Sequence, residues 1–205
     1  CPHRIDMHLK KNKTTGIAID GIPIRRASEL FGIMNVVFFS PEDLSIIKNG
    51  LSERRCFIYM ELFKLDKIFV NYLINYNKVV LQRNKLLKDG FMLQRNPELL
   101  DVWDLQMAQY GVKIIETRAA FIGELNQIIA GIHSKISGGR ETLEIRYEPD
   151  VQAADLEAQL GRTRERDIRM KTSYTGPHRD DIGFFVNGIN IRKFGSQGQQ
   201  RTAAF

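Results

Sequence analysis

Two runs of heptad-spaced apolar residues constrain this chain more than any other feature. Ile58, Leu62, Leu65, Phe69, Tyr72, Tyr76, Val79 and Leu86 follow alternating steps of four and three, broken only by Arg83. Leu100, Trp103, Met107, Tyr110, Ile114, Thr117 and Phe121 repeat the pattern, and Leu125, Ile128 and Ile132 extend it after a one-residue slip. Such spacing puts one apolar stripe on each of two helices, and each stripe needs a cover. Gly90 reads as the close of the first helix and Pro97 as the opening of the second. With so short a connection the two must pack antiparallel. At about 35–40 residues each reaches roughly 50–60 Å, longer than a compact domain is wide. The spacing therefore predicts an arm, ended by Ser137-Gly138-Gly139.

The flanks carry a different period. Residues 5–10 and 16–24 alternate like strands, with KNKTTG as a turn between them and Asp20-Gly21 as a second turn. NVVFF at 35–39 suits a buried strand. In the SPEDL that follows, Ser40 can cap a helix, Pro41 fits its first turn, and Glu42 and Asp43 suit its positive end. After the arm, TLEIRYEP reads as a strand and AADLEAQLGRTRERDIRM as a charged amphipathic helix. DIGFFVNGINI reads as a hairpin turning at Asn187-Gly188. The expected class is α+β, with strands at both ends of an inserted helical arm. The segments are 1–45, 46–170 and 171–205.

Composition sets outer limits. Hydrophobic residues at 43% and charged residues at 26% describe a chain that buries a core. A net charge of +6 favours a polyanionic partner such as nucleic acid or nucleotide, although plain proteins share it. Cys1 and Cys56 are too few and too far apart for a disulfide scaffold or a paired-cysteine metal site, which fits a reducing cytosol. No apolar run approaches the roughly 20 residues of a membrane span, and the start lacks the apolar core of a signal peptide. The chain opens in mid-alternation without an initiator Met, which predicts a piece of a longer protein.

One short stretch concentrates the chemistry. In FGSQGQQRT, Gly195 to Gln200 hold two glycines, a serine and three glutamines, ahead of a helix expected from about Gln197. A hydroxyl and unhindered N–H groups on a positive helix end make an anion site. An ordinary glycine turn with a serine cap is the plainer alternative.

SQGQQRT at 196–202, GPHRDD at 176–181, FFSPEDL at 38–44 and the G-x-S-E-R-R-x-F string from Gly50 stand together in an order that resembles the RecF family. These are bacterial recombination and repair proteins related to SMC-type ABC ATPases. The resemblance implies an ABC-type head in which GSQGQQ is the signature motif. It also implies that the chain starts after the phosphate-binding loop and stops before the acidic hydrolysis motif, since neither is found. In this family two heads sandwich ATP, with Mg, between the phosphate loop of one and the signature of the other. Ser196 would hydrogen-bond the γ-phosphate in trans, and Gly198 would let backbone N–H approach. Gln197, Gln199 and Gln200 would line the nucleotide or fix the helix start. Arg201 would reach a phosphate or pair within its own head.

The resemblance further implies an ATP-dependent homodimer on single-stranded and gapped duplex DNA. Work with RecR and RecO in loading RecA, support of the SOS response and a cytoplasmic location follow from it, with no membrane role. Candidate DNA contacts are Arg54 and Arg55, in a helix expected to be capped by Ser52, and Arg179, expected as a structural pair with Asp180. A solvated first turn explains the first two equally well. Arg162, Arg164 and Arg166 sit in a sign-alternating, salt-bridged face that could also touch phosphates. GPHRDD is a poor metal or general-base site with its one histidine. Departures from the family pattern are Tyr59 for Asp, Leu51 for Pro and Phe205 for a smaller aliphatic. A helical adapter whose terminal glycine turn binds nothing is the alternative from a different class.

Overall fold

The structure is a computed structural model and describes residues 3–8, 16–30, 33, 45–48 and 50–204. The expected NVVFF strand, the Ser40 cap, residues 11–15 of the KNKTTG turn and Phe205 lie outside the described residues.

The first sheet is antiparallel, ordered β1 (Ile5–His8), β2 (Gly16–Ile19), β3 (Ile22–Ile24). Asp20 and Gly21 turn β2 into β3, both at positive φ (52° and 82°), the conformation a two-residue hairpin needs. After α1 (Ser45–Lys48) comes the helical part: α2 (Leu51–Leu65), α3 (Lys67–Lys88), α4 (Gly90–Arg95) and α5 (Glu98–Ile136). The second sheet is β4 (Leu143–Glu148), β5 (Asp181–Val186) and β6 (Ile189–Asn190), also antiparallel. Helix α6 (Leu156–Met170) lies between β4 and β5 in sequence, and α7 (Ile191–Phe194) and α8 (Gln197–Ala204) follow β6. The expected α+β class, with small sheets towards both ends and long antiparallel helices between, is what the chain forms.

The first long helix is two. Asp66 leaves the helical region (φ −136°, ψ 102°) and its carboxylate accepts from Ile68 N at 2.7 Å and Phe69 N at 3.2 Å, so it caps α3. The heptad spacing runs through this break and conceals it. Leu65, expected on the seam, is 72% exposed at the end of α2. Gly90 does not close α3: Asp89 caps α4, and Gly90 is the first residue of that short helix. Helix α2 starts at Leu51 with Gly50 as its N-cap and no side-chain cap bond, so Ser52 is not its cap.

The seam of α3 and α5 is real through its middle. Phe69, Leu73, Tyr76 and Val79 are buried with Met107, Ile114 and Ile122 in one core that also takes in Leu143, Leu156, Ile182 and Phe184. Beyond Ile122 the expected register fails, and Ile128 and Ile132 are 61% and 53% exposed. There α5 turns a different face to β4. Asn126 donates to Ile145 O at 2.7 Å and accepts from Ile145 N at 2.8 Å. Its side-chain amide thereby pairs with a sheet edge that would otherwise be open. His133 is buried one helical repeat on.

Arg83, an interruption in the sequence pattern, is a structural centre. Its guanidinium is fully enclosed and reaches Asp104 (2.6 Å), Asp167 (2.8 Å) and Ser173 Oγ (2.8 Å). These contacts tie α3, α5, α6 and the loop after α6 together. A charge at this depth is tolerable only because it is paired and hydrogen-bonded.

Candidate nucleotide-facing site at the start of helix α8

Serine at 196 and glutamine at 199 build the entrance to α8 by pairing reciprocally. Gln199 N donates to Ser196 Oγ (3.1 Å), and Ser196 N donates to Gln199 Oε1 (3.0 Å). That is a capping box, which fixes the serine rotamer and satisfies two otherwise orphaned N–H groups. The Gln199 amide has a second hold, donating from Nε2 to Glu141 Oε1 at 3.0 Å. Gln200 is buried, and its amide donates to Ile191 O at 2.8 Å, locking α8 against α7. Of the two roles open to these glutamines, Gln199 and Gln200 fix the helix start. Gln197 and Gly198 are exposed beside Ser196. The serine hydroxyl keeps its proton free to donate while its oxygen caps the helix.

A cleft of about 470 Å³ opens here, lined by Ser196, Gly198, Gln199, Thr202, Arg140 and Asn187 among others. Its donors, a hydroxyl, a positive helix end and one guanidinium, suit an anionic group, and the one carboxylate on the lining, Glu141, is engaged by Gln199 Nε2. Among the described residues nothing requires glycine at 198. A Cβ there would meet only Ser196 Oγ at 3.7 Å, an ordinary contact. Alanine at this helical position would be more favourable by up to about 1 kcal/mol. Arg201 makes no ion pair among the described residues. No group of three or more His, Cys, Asp or Glu suited to a metal occurs among the described residues, so no Mg ligand set is assigned to them.

GPHRDD has another role, as the joint between sheet and helices. Gly176 sits at φ 126°, and a Cβ there would fall 2.4 Å from the Tyr76 hydroxyl, so both backbone and space require glycine. His178 Nε2 bonds Ser173 O at 3.0 Å and must donate, which makes Nδ1 the acceptor from Tyr76 OH at 2.7 Å. Burial holds His178 below the ordinary imidazole range and raises Tyr76 well above the ordinary phenol range. The pair is a neutral structural bond.

Asp180 does not pair with Arg179. It takes Arg118 Nη1 at 2.7 Å, the Tyr147 hydroxyl and Asp150 N at 2.9 Å. Arg118 also donates to Tyr59 OH at 2.6 Å and Pro177 O at 2.8 Å. Tyr59, the departure from the family pattern, thus keeps a polar role. Sequence reasoning missed Arg118 and Arg83 as anchors. The available signal was an arginine set into an apolar helix face.

The three candidate DNA contacts part company. Arg54 is 1% exposed and grips Asp181 with two bonds, Nε to Oδ1 at 2.6 Å and Nη2 to Oδ2 at 2.9 Å. Its guanidinium is closed off from a DNA backbone, a correction to the sequence expectation. Arg55, half-buried, donates to Asp180 O at 3.0 Å. Arg179 is exposed and lies over the Tyr174 ring. Arg54→Met is accordingly expected to destabilise the fold by about 3 kcal/mol, since Asp181 loses its partner. Any binding of the full-length protein to DNA should keep its salt dependence. A denaturant titration beside a binding series over several salt concentrations checks both, and a shallower salt slope would return Arg54 to the DNA interface.

No family model matches the chain. Curated relatives do. The DNA replication and repair protein RecF of Lachnoclostridium phytofermentans is 59% identical over 206 residues, covering 98% of this chain and 56% of that protein. RecF of Lachnospira eligens is 56% identical at the same coverages. Among solved structures, that of the recombination mediator protein RecF-ATP in the RecFOR pathway is similar with a TM-score of 0.87 at 32% identity, over 98% of this chain and 56% of that one. The chain thus spans about 56% of the length of the curated relatives it matches. With sequence identity this high along almost the whole chain and the same fold beneath it, the chain belongs to the RecF family.

Proposed function

We propose that this chain is the signature-bearing, helical part of an ATP-driven clamp that closes on DNA during recombinational repair and replication. The observation that carries this reading is the presentation of Ser196: a fixed hydroxyl at a helix start, near a glycine that no contact among the described residues requires. A second head would bring ATP and its Mg, held by its own phosphate loop, against this face. Ser196 Oγ–H would then donate to the γ-phosphate, with Gly198 leaving room for the phosphate edge. ATP supplies the bridging charge; this chain supplies donors and shape. Similarity to a solved RecF-ATP complex and to RecF-ATPrS supports nucleotide at this fold.

The rest of the reading comes with the relatives. The dimer would act on single-stranded and gapped duplex DNA in the cytoplasm, with RecO and RecR, promote RecA loading and support the SOS response. A non-catalytic helical adapter would leave Gly198 without a reason. The test is the mass of the full-length protein in light scattering with gapped DNA. ATP is expected to convert monomer to dimer, and ADP is not. ATP binding without any change of mass would remove the clamp.

A further inference from the structure

We propose that the outward face of α6, together with Tyr174 and Arg179, is a docking surface for the phosphodiester backbone of DNA. It rests on the DNA-binding reading above and deepens it by naming the surface.

The charges of α6 sort by face. Arg164 turns to Asp101 and Asp104, each at 2.7 Å, and Asp167 is buried against Arg83. Asp101, Asp104 and Asp167 are thereby engaged on the inward side. Arg162, Arg166 and Arg169, spaced i, i+4 and i+7, fall on the opposite side and are all exposed. No ion pair joins any of them to an acid among the described residues, and Glu165 on the flank pairs with none of them. Lys171, at φ 55°, ends the helix and is exposed beside them, so the stretch carries four cations to the one carboxylate of Glu165.

Arg166 and Arg179 come from different segments and meet at one ring. Their Cζ atoms lie 5.1 and 5.3 Å from the centre of Tyr174. Two like charges sharing one aromatic ring, with no carboxylate paired to either, repel unless an anion comes to them. The ring is not free to drift apart from them. Tyr174 N donates to Asp167 Oδ1 at 3.1 Å, and the neighbouring Ser173 N and Oγ donate to Asn84 Oδ1 at 2.7 and 2.8 Å. The buried Arg83 network therefore holds the arginines in place from beneath.

The anion is a phosphate chain rather than a single small ion. Arg162 to Arg169 cover about 10 Å along the helix axis. At 3.4 Å per phosphate along one strand that matches about three successive phosphates. Guanidinium forks suit phosphate oxygens, and a row of them with no base-reading amides predicts binding without sequence preference. Tyr174 is half-buried and orients the guanidinium groups rather than stacking on bases.

The experiment is fluorescence anisotropy of labelled gapped duplex DNA with the full-length protein, from about 50 to 400 mM NaCl. Arg166→Gln/Arg179→Gln is expected to flatten the plot of log affinity against log salt by about 2, near 0.9 per lost phosphate contact. Affinity near 0.1 M salt should fall by tens of fold, equally for DNA of any sequence. ATP binding and the melting curve should not move. Arg162→Gln/Arg169→Gln, whose side chains make no hydrogen bond or ion pair among the described residues, should flatten the slope similarly and guards against a folding defect in the first variant. Wild-type slope and affinity in both variants would overturn the surface, as would weaker binding with an unchanged slope. Failure of the unmodified protein to bind gapped DNA would instead remove the DNA reading itself.

Discussion

Phe69→Asp is expected to lower the stability of the protein by about 5 kcal/mol or more, a large part of the 5–15 kcal/mol that holds most domains folded. Phe69 is fully buried at the start of α3. Its ring lies 6.4 Å from Tyr59 and 6.3 Å from Phe63, so it joins α2 to α3 just after the Asp66 break. Truncating a buried phenylalanine alone forfeits about 3–5 kcal/mol. An aspartate adds a charge in a place water does not reach. At about 2–4 °C per kcal/mol for a chain of this size, the melting midpoint should fall by some 10–20 °C. Phe69→Leu, which keeps most of the volume, should lose far less. Circular dichroism melts of the three proteins decide it: an unmoved midpoint for Phe69→Asp would mean that α2 and α3 do not pack as described.

How far the sequence carried follows from which forces have a period. The antiparallel helices, the two hairpins at Asp20-Gly21 and Asn187-Gly188, and the end of α5 at Gly138-Gly139 all leave regular local signals. The break at Asp66 leaves almost none, since one capping carboxylate is enough to make it and the apolar spacing continues across it. The buried ion pairs are the larger omission. Arg83, Arg118 and Arg54 each find partners 21 to 127 residues away, which no local pattern encodes. Seen along the chain they are faults in an apolar stripe or surface charges; only the fold reveals them as ties between the helices and the second sheet. In the candidate site, Ser196, Gly198 and the helix start were legible because the motif is contiguous. The hold of Glu141 on Gln199 crosses 58 residues and was not.

Ser196→Arg in the full-length protein is expected to abolish ATP-induced dimerisation while each monomer still binds ATP. Ser196→Ala should only weaken dimerisation. Both variants lose the cap that Ser196 Oγ gives to Gln199 N, which lowers the stability of α8 by about 1 kcal/mol in each. Any difference between them therefore arises outside the fold. In the proposed clamp alanine would remove one hydrogen bond to a charged phosphate, about 1.5–3 kcal/mol, or roughly ten- to a hundredfold in the dimer equilibrium. Arginine would remove the same bond and set a long side chain in the open space beside Gly198, where the proposed clamp would bring the γ-phosphate and the partner head. Its positive charge attracts phosphate, but its bulk would lie between the surfaces that close in the proposed clamp and hold the donors of the helix start out of reach. Ser196→Thr retains hydroxyl and cap and should dimerise nearly as the parent does. Light scattering with and without ATP, beside nucleotide binding measured on the monomer, separates the outcomes. If Ser196→Arg dimerised normally, or if it lost ATP binding by the monomer instead, the nucleotide would be held elsewhere and α8 would be an ordinary capped helix.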